Sequence, residues 1–308
     1  MNLKISSSPH LISKKNTPYI MRKLILALLP TIGASLYFFG QRAALLILSC
    51  AASALITEIV VLKIRKKVSA IGDWSAILTG LLLALTLPPS TKLYAAVLGS
   101  VFAILVGKHL FGGLGTNIFN PALIGRAFLM AAYPKMLTTF IKPFSADAIT
   151  CATPLVLRKF SQIITPTLDL FLGKVSGSLG ETSAICLIIG GVYLLIRKIA
   201  DWRGPLTLLL SVSIITFTLN IINPLNGQIW FHLFSGGLLL GTFFMVTDPV
   251  TTPLTKKGRY IFGAGCGLLM MIIRYFSGLP EGMMYSILFM NALTPLINRY
   301  VKPRRFGG

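Results

Sequence analysis

Ten apolar runs, parted by short stretches that hold most of the charge, decide what this chain can fold into. They lie near residues 24–40, 43–62, 74–88, 93–107, 121–134, 182–196, 205–219, 231–247, 259–274 and 282–298. Of 308 residues, 54% are apolar and only 12% charged, and that charged share is about half that of a soluble domain. So little charge cannot cover a globule in water. Lipid is therefore the solvent for most of the surface, and the runs predict an all-α polytopic membrane protein with about ten transmembrane helices. Several runs fall short of the roughly 20 residues a straight span needs. The short ones carry Gly or Pro at their ends, as in LALTLPPS (83–90), GGLGTNIFNPA (112–122) and TDPVTTPLT (247–255). Non-helical backbone at membrane depth needs protein or a polar cavity to satisfy it. These breaks are candidates for a buried site.

The net charge of +21 sits in short basic runs between apolar ones, the pattern of cytoplasmic loops and not of a nucleic-acid surface. The expected cytoplasmic stretches are the N-terminal tail, 63–67, Lys108 with its neighbours, 197–203, 255–259 and 298–305. Together they hold about 20 Lys and Arg, against about 8 in the opposite-face loops. An even number of spans then puts both ends in the cytoplasm. The expected organisation is a tail (1–22), a first transmembrane repeat (23–134), an extracytoplasmic loop (135–181), a second repeat (182–298) and a short tail (299–308). The first residues are polar for too long to be a signal-peptide n-region, so they read as a retained tail. An echo relates 79–89 to 236–249 and 119–125 to 290–297. Three spans per half would invert the second copy. Cys50, Cys151, Cys186 and Cys266 are widely spaced and suggest no metal site.

The loop 135–181 is the sizeable outward segment. It contains KPFSADAITCATPLVLRKF (142–160), where Asp147, Thr150, Cys151 and Thr153 precede a proline. This grouping suits attachment better than catalysis, because a threonine hydroxyl can form an ester with the phosphate of a nucleotide such as flavin mononucleotide. An ordinary polar loop reads the same way. Arg126 lies inside the fifth run, where charge is costly and is paired or cavity-facing. It either contacts a flavin phosphate or acceptor group, or holds a helix break through carbonyls. Asn117 and Asn120 either bond an isoalloxazine edge or satisfy broken backbone. Asp248 is expected to cap a turn, the alternative being an ion ligand; Glu181 and Thr182 are expected to cap the sixth helix, the alternative being the lining of a flavin pocket.

The segment DAITCATPL (147–155) resembles the flavinylation motif of the D subunit of Rnf-type electron transport complexes and of the homologous B subunit of sodium-translocating NADH:quinone reductase. That motif commonly reads D-x-x-S-G-A-T, with FMN held by phosphoester on the last threonine. Thr150 stands here for Ser and Cys151 for Gly, both small. Blocks 73–89, 112–128, 177–195, 243–259 and 278–297 also resemble the family, in family order. The resemblance implies FMN on Thr153, with Asp147 and Thr150 as motif residues, and a second, non-covalent flavin, riboflavin, between helices. It implies a urea-transporter-like fold of two inverted repeats in the bacterial cytoplasmic (inner) membrane. The implied role is a non-catalytic subunit of a translocase that moves electrons between ferredoxin and NAD, coupled to sodium or proton translocation. Implied partners are the other complex subunits and an exported flavin transferase. The rival readings are a solute or ion channel without redox chemistry and a passive membrane scaffold.

Overall fold

Asn16 starts the first helix: its side chain accepts from the Tyr19 amide at 3.0 Å, and Pro18 follows inside the first turn. Helix α1 (Thr17–Phe39) thus begins well before residue 24, and Gly40 (φ 58°) closes it by donating to the Leu36 carbonyl. The computed structural model describes residues 16–66, 72–144, 150–222, 228–279 and 281–302. The chain continues as α2 (Gln41–Ile64), α3 (Ser75–Thr86), α4 (Leu93–Phe102) with a π-helical continuation Ala103–His109, and α5 (Pro121–Ala132). Next come α6 (Pro134–Thr138), a two-residue antiparallel ladder of β1 (Phe140–Ile141) with β2 (Thr150–Cys151), α7 (Pro154–Ser161) and α8 (Thr167–Leu172). The last part is α9 (Ala184–Ile196), α10 (Arg203–Ile222), α11 (Ile229–Phe234), α12 (Leu238–Leu240) with a π-helical continuation Gly241–Met245, α13 (Lys256–Phe276) and α14 (Met283–Tyr300).

Each expected apolar run carries helix, and the eighth is broken between α11 and α12. Among the described residues four helices, α1, α2, α10 and α13, are long and apolar enough to cross a membrane. Their outward faces leave Leu48, Ile56, Ile214, Phe217 and Ile261 exposed, which suits hydrocarbon and not water. Inside them lies α3, which is buried on nearly every side. This is an all-α membrane protein.

The break after α3 is satisfied by chain. Leu179 and Gly180 donate to the carbonyls of Leu87 and Leu85 at 3.0 and 2.7 Å. The Pro-rich end of α3 therefore rests on a second irregular stretch. A Cβ at Gly180 would lie 2.9 Å from both the Leu85 carbonyl oxygen and its Cβ, so only glycine allows this approach.

Candidate functional site

Thr153 has extended backbone and caps α7, its Oγ1 accepting from the Val156 amide at 3.4 Å. Pro154 occupies the first helical position, where no N–H is needed. The segment is pinned on both sides of the threonine. The Ser176 hydroxyl donates to the Ala152 carbonyl at 2.6 Å. The Lys159 ammonium donates to the carbonyls of Arg274 (2.7 Å), Leu279 (3.2 Å) and Ser277, at and beyond the C-terminal end of α13. Thr153 is 4% exposed.

Thr153 lines a small cleft of about 280 Å³ with Ser176, Glu181, Gly236 and Glu281. Glu281 also lines a wider, mostly apolar cleft of about 930 Å³ whose walls include Arg126, Phe140, Val156, Phe160 and Tyr285. Arg126 joins the two: its Nη2 donates to Glu281 Oε2 at 2.5 Å, and its Nη1 lies 3.9 Å from Glu181 Oε1. Behind them Arg274 is buried and donates to the carbonyls of His232 (2.8 Å) and Ser235 (2.9 Å). The Thr153 end of the fold therefore gathers two arginines and two glutamates, with Arg274 and Glu181 buried and Arg126 and Glu281 partly so.

A second cleft, of about 540 Å³, is lined among others by Ser75, Thr79, Lys108, Asn117, Asn120 and Asp248. Lys108 is 1% exposed and bonded to Glu58 and Ser75, with Asp73 Oδ2 at 4.0 Å. Lys108 therefore does not sit in a solvated loop: it is buried in the π-helical continuation of α4, where Glu58 in α2 supplies its counter-charge. The Asn117 amide donates to the Phe119 carbonyl at 3.1 Å, and its Oδ1 is buried without a hydrogen-bond partner among the described residues. Asn120 Oδ1 is engaged as the α5 cap, accepting from the amides of Ala122 and Leu123 at 3.1 and 3.4 Å.

Of the expected site residues, Thr153 and Arg126 line the two clefts that share Glu281, and Asn120 lines the third. Asp147 falls outside the described residues, as does the side chain of Thr150. Asp248 caps its turn as expected, accepting from the Val250 amide (3.2 Å) and the Thr251 hydroxyl (3.1 Å). Glu181 does not cap a helix, because α9 begins at Ala184; it sits in the preceding loop, facing Arg126. Arg126 binds carboxylates and not broken backbone. Sequence reasoning missed Glu58, Lys159, Arg274 and Glu281. A glutamate inside ITEIVV and an arginine inside MMIIRYF were the available signals for Glu58 and Arg274. Among the described residues no group of three or more His, Cys, Asp or Glu could hold a metal ion.

A family model described as NQR2, RnfD, RnfE matches residues 4–307. Among curated relatives, the D subunit of the Na+-translocating ferredoxin:NAD+ oxidoreductase complex of Acetobacterium woodii is 45% identical, covering 100% of this chain and 96% of the relative. The D subunit of the proton-translocating ferredoxin:NAD+ oxidoreductase complex of Clostridium ljungdahlii is 43% identical over 98% of this chain and 96% of its own length. The D subunit of the ion-translocating oxidoreductase complex of Escherichia coli K12 is 36% identical over 100% and 99%.

Proposed function

This chain belongs to the NQR2, RnfD, RnfE family, and from that premise we propose that it is the flavin-carrying membrane subunit of a redox-driven ion pump. It passes electrons in a complex that works between ferredoxin and NAD and moves sodium or protons. Relatives named for the same two electron carriers differ in the ion their names give, so the ion is left as either. FMN is joined to Thr153 through a phosphoester, by an exported flavin transferase that reads the 147–153 motif.

The observation that carries this reading is the position of Thr153 on a small cleft that shares Glu281 with a wider one. Its oxygen sits at the N-terminal end of α7, where the helix dipole favours a phosphate. The wider cleft offers an apolar chamber with Phe160 and Tyr285 on its walls and the Arg126 guanidinium at its inner edge. That combination suits a flat, polar-edged ring system. A flavin there supplies electron transfer, while the chain binds and orients it. Arg126 and Glu281, paired where the two clefts meet, would line the bound group, and the surrounding aliphatic side chains would exclude water.

The second, non-covalent flavin, riboflavin, is assigned to the region of Asn117, whose Oδ1 is a buried acceptor without a donor among the described residues. The short α3 and the interrupted α11–α12 occupy corresponding places in the two halves. This supports ten membrane passes arranged as inverted, urea-transporter-like repeats. The basic runs support cytoplasmic ends in a bacterial inner membrane.

The test is a denaturing gel of membranes from cells that also make the flavin transferase. Under ultraviolet light the chain gives a fluorescent band, and Thr153→Ala abolishes it completely. A dark wild-type band, or a bright Thr153→Ala band, overturns the reading.

A further inference from the structure

The acceptor hydroxyl of Thr153 is out of reach. It is 4% exposed, its oxygen is engaged by the Val156 amide, and it faces a cleft of about 280 Å³. A transferase must bring the flavin-side phosphorus of a flavin dinucleotide onto this oxygen. The new O–P bond forms as the pyrophosphate bond breaks, adenylate leaves and the hydroxyl proton passes to the transferase. No enzyme can perform that displacement on a buried cap. The segment around Thr153 has to move first.

What holds the segment is separable from the rest of the fold. Leu155 is its buried apolar anchor, and it packs with Leu170 and Phe231 in a small cluster distinct from the main core. The remaining ties are the two-residue ladder Phe140–Cys151 and Ile141–Thr150, the Ser176–Ala152 bond, Arg158 stacked 4.4 Å from the Phe231 ring, and the three carbonyls on Lys159. A unit with one satellite cluster and a handful of polar ties opens at lower free energy than the core. Lys159 is the strongest single tie, because it spans from α7 to the end of α13 with charge-assisted bonds.

Resting on the reading of Thr153 as a flavin acceptor, we propose that residues 150–161 form a strap. It lifts to present Thr153 to the transferase and recloses over the attached nucleotide, with Lys159 as its latch. Flavin attachment then proceeds through the open population, and Lys159 acts as a positioning residue for a modification it never touches.

The latch predicts an effect of opposite sign to a structural role. Lys159→Met keeps much of the aliphatic stem and removes the three bonds. Unloaded full-length chain, purified in detergent, is mixed with flavin transferase and flavin dinucleotide, and the initial rate of covalent fluorescence is read. Loss of charge-assisted bonds raises the open fraction and hence the rate by about tenfold, and Lys159→Arg restores the wild-type rate. Ser176→Ala gives a smaller increase. A second readout needs no flavin: Cys151 lies in the strap and is half-buried, so maleimide labelling in a Cys186→Ser background accelerates in parallel. Wild-type rates in both assays for Lys159→Met and Ser176→Ala overturn the strap. If Lys159→Met folds poorly, Ser176→Ala decides by the same two rates. If no chain takes up flavin, the acceptor reading falls, and labelling of Cys151 alone decides whether the segment opens.

Discussion

Lys108 is the costliest side chain in the fold to place. Its ammonium is 1% exposed, and its main counter-charge, Glu58, is 3% exposed. Removing two charges from water costs several kcal/mol each, repaid only by close pairing and further hydrogen bonds. Ser75 supplies one such bond, itself oriented by Asp73 Oδ1 at 2.6 Å. Glu58 Oε2 has no hydrogen-bond partner among the described residues, so the pair is only partly repaid. Lys108→Met therefore leaves an uncompensated buried carboxylate and destabilises the protein by about 3–5 kcal/mol. Adding Glu58→Leu recovers most of that loss. Unfolding in sodium dodecyl sulfate, followed by circular dichroism, measures both. A double variant no more stable than Lys108→Met would show that the pair is not the source of the cost. Thr153 makes the contrasting case: an ordinary helix cap by geometry, singled out by the motif around it and by the clefts beside it.

Elements meet at their ends through single residues, and Asp201 shows how. It lies between α9 and α10, accepts from the Arg203 amide at 3.0 Å and from Arg203 Nη1 at 2.8 Å, and pairs with Arg259 of α13. Burial alone would raise its carboxyl pKa. The Arg203 amide and the Arg259 guanidinium outweigh that and hold it below the usual carboxylate value. A lowered folded value gives stability that is complete above the unfolded value, about 4, and is lost as pH falls through the folded one. Asp201→Asn is expected to lower stability by about 1 kcal/mol at pH 7, since the site is partly open to solvent. The gap to wild type should close as pH drops below about 4, which thermal unfolding at pH 7, 5 and 3.5 would follow. A gap independent of pH would exclude the charge. Elements were the most legible level of the sequence, because an apolar run needs no partner to be recognised. The motif around Thr153 could be noticed for the same reason, because it is contiguous. The clefts beside it were not legible, because their walls come from residues 126, 140, 156, 160, 181, 236, 281 and 285. The burial of Lys108 was not legible because its partner lies fifty positions away, and charge alone does not reveal a distant carboxylate. The capping role expected of Glu181 failed on a boundary, since α9 starts three residues later.

At the scale of the whole molecule, charge and chemistry occupy opposite ends of the same helices. Basic residues Arg197 and Arg203 flank the end of α9 and the start of α10, Lys256, Lys257 and Arg259 open α13, and Arg299 closes α14. The Asp201–Arg259 pair and the bond from the Leu254 amide to Asn298 Oδ1 (3.1 Å) gather these ends together. The Thr153 network meets the other ends: Glu181 before α9, Arg274 and the Lys159 latch late in α13, Glu281 before α14. The 21 residues of α13 separate the two, and at 1.5 Å per residue that is about 30 Å, the thickness of a hydrocarbon core. Under the proposed function the basic end stays in the cytoplasm, which requires Thr153 on the far side. Single cysteines in a cysteine-free background test this with a membrane-impermeant maleimide. Leu168→Cys, on the exposed face of α8, should label in intact spheroplasts. Lys66→Cys and Lys302→Cys should label only after permeabilisation. The reverse pattern would put Thr153 in the cytosol, beyond any exported transferase, and the flavin reading would fall with it.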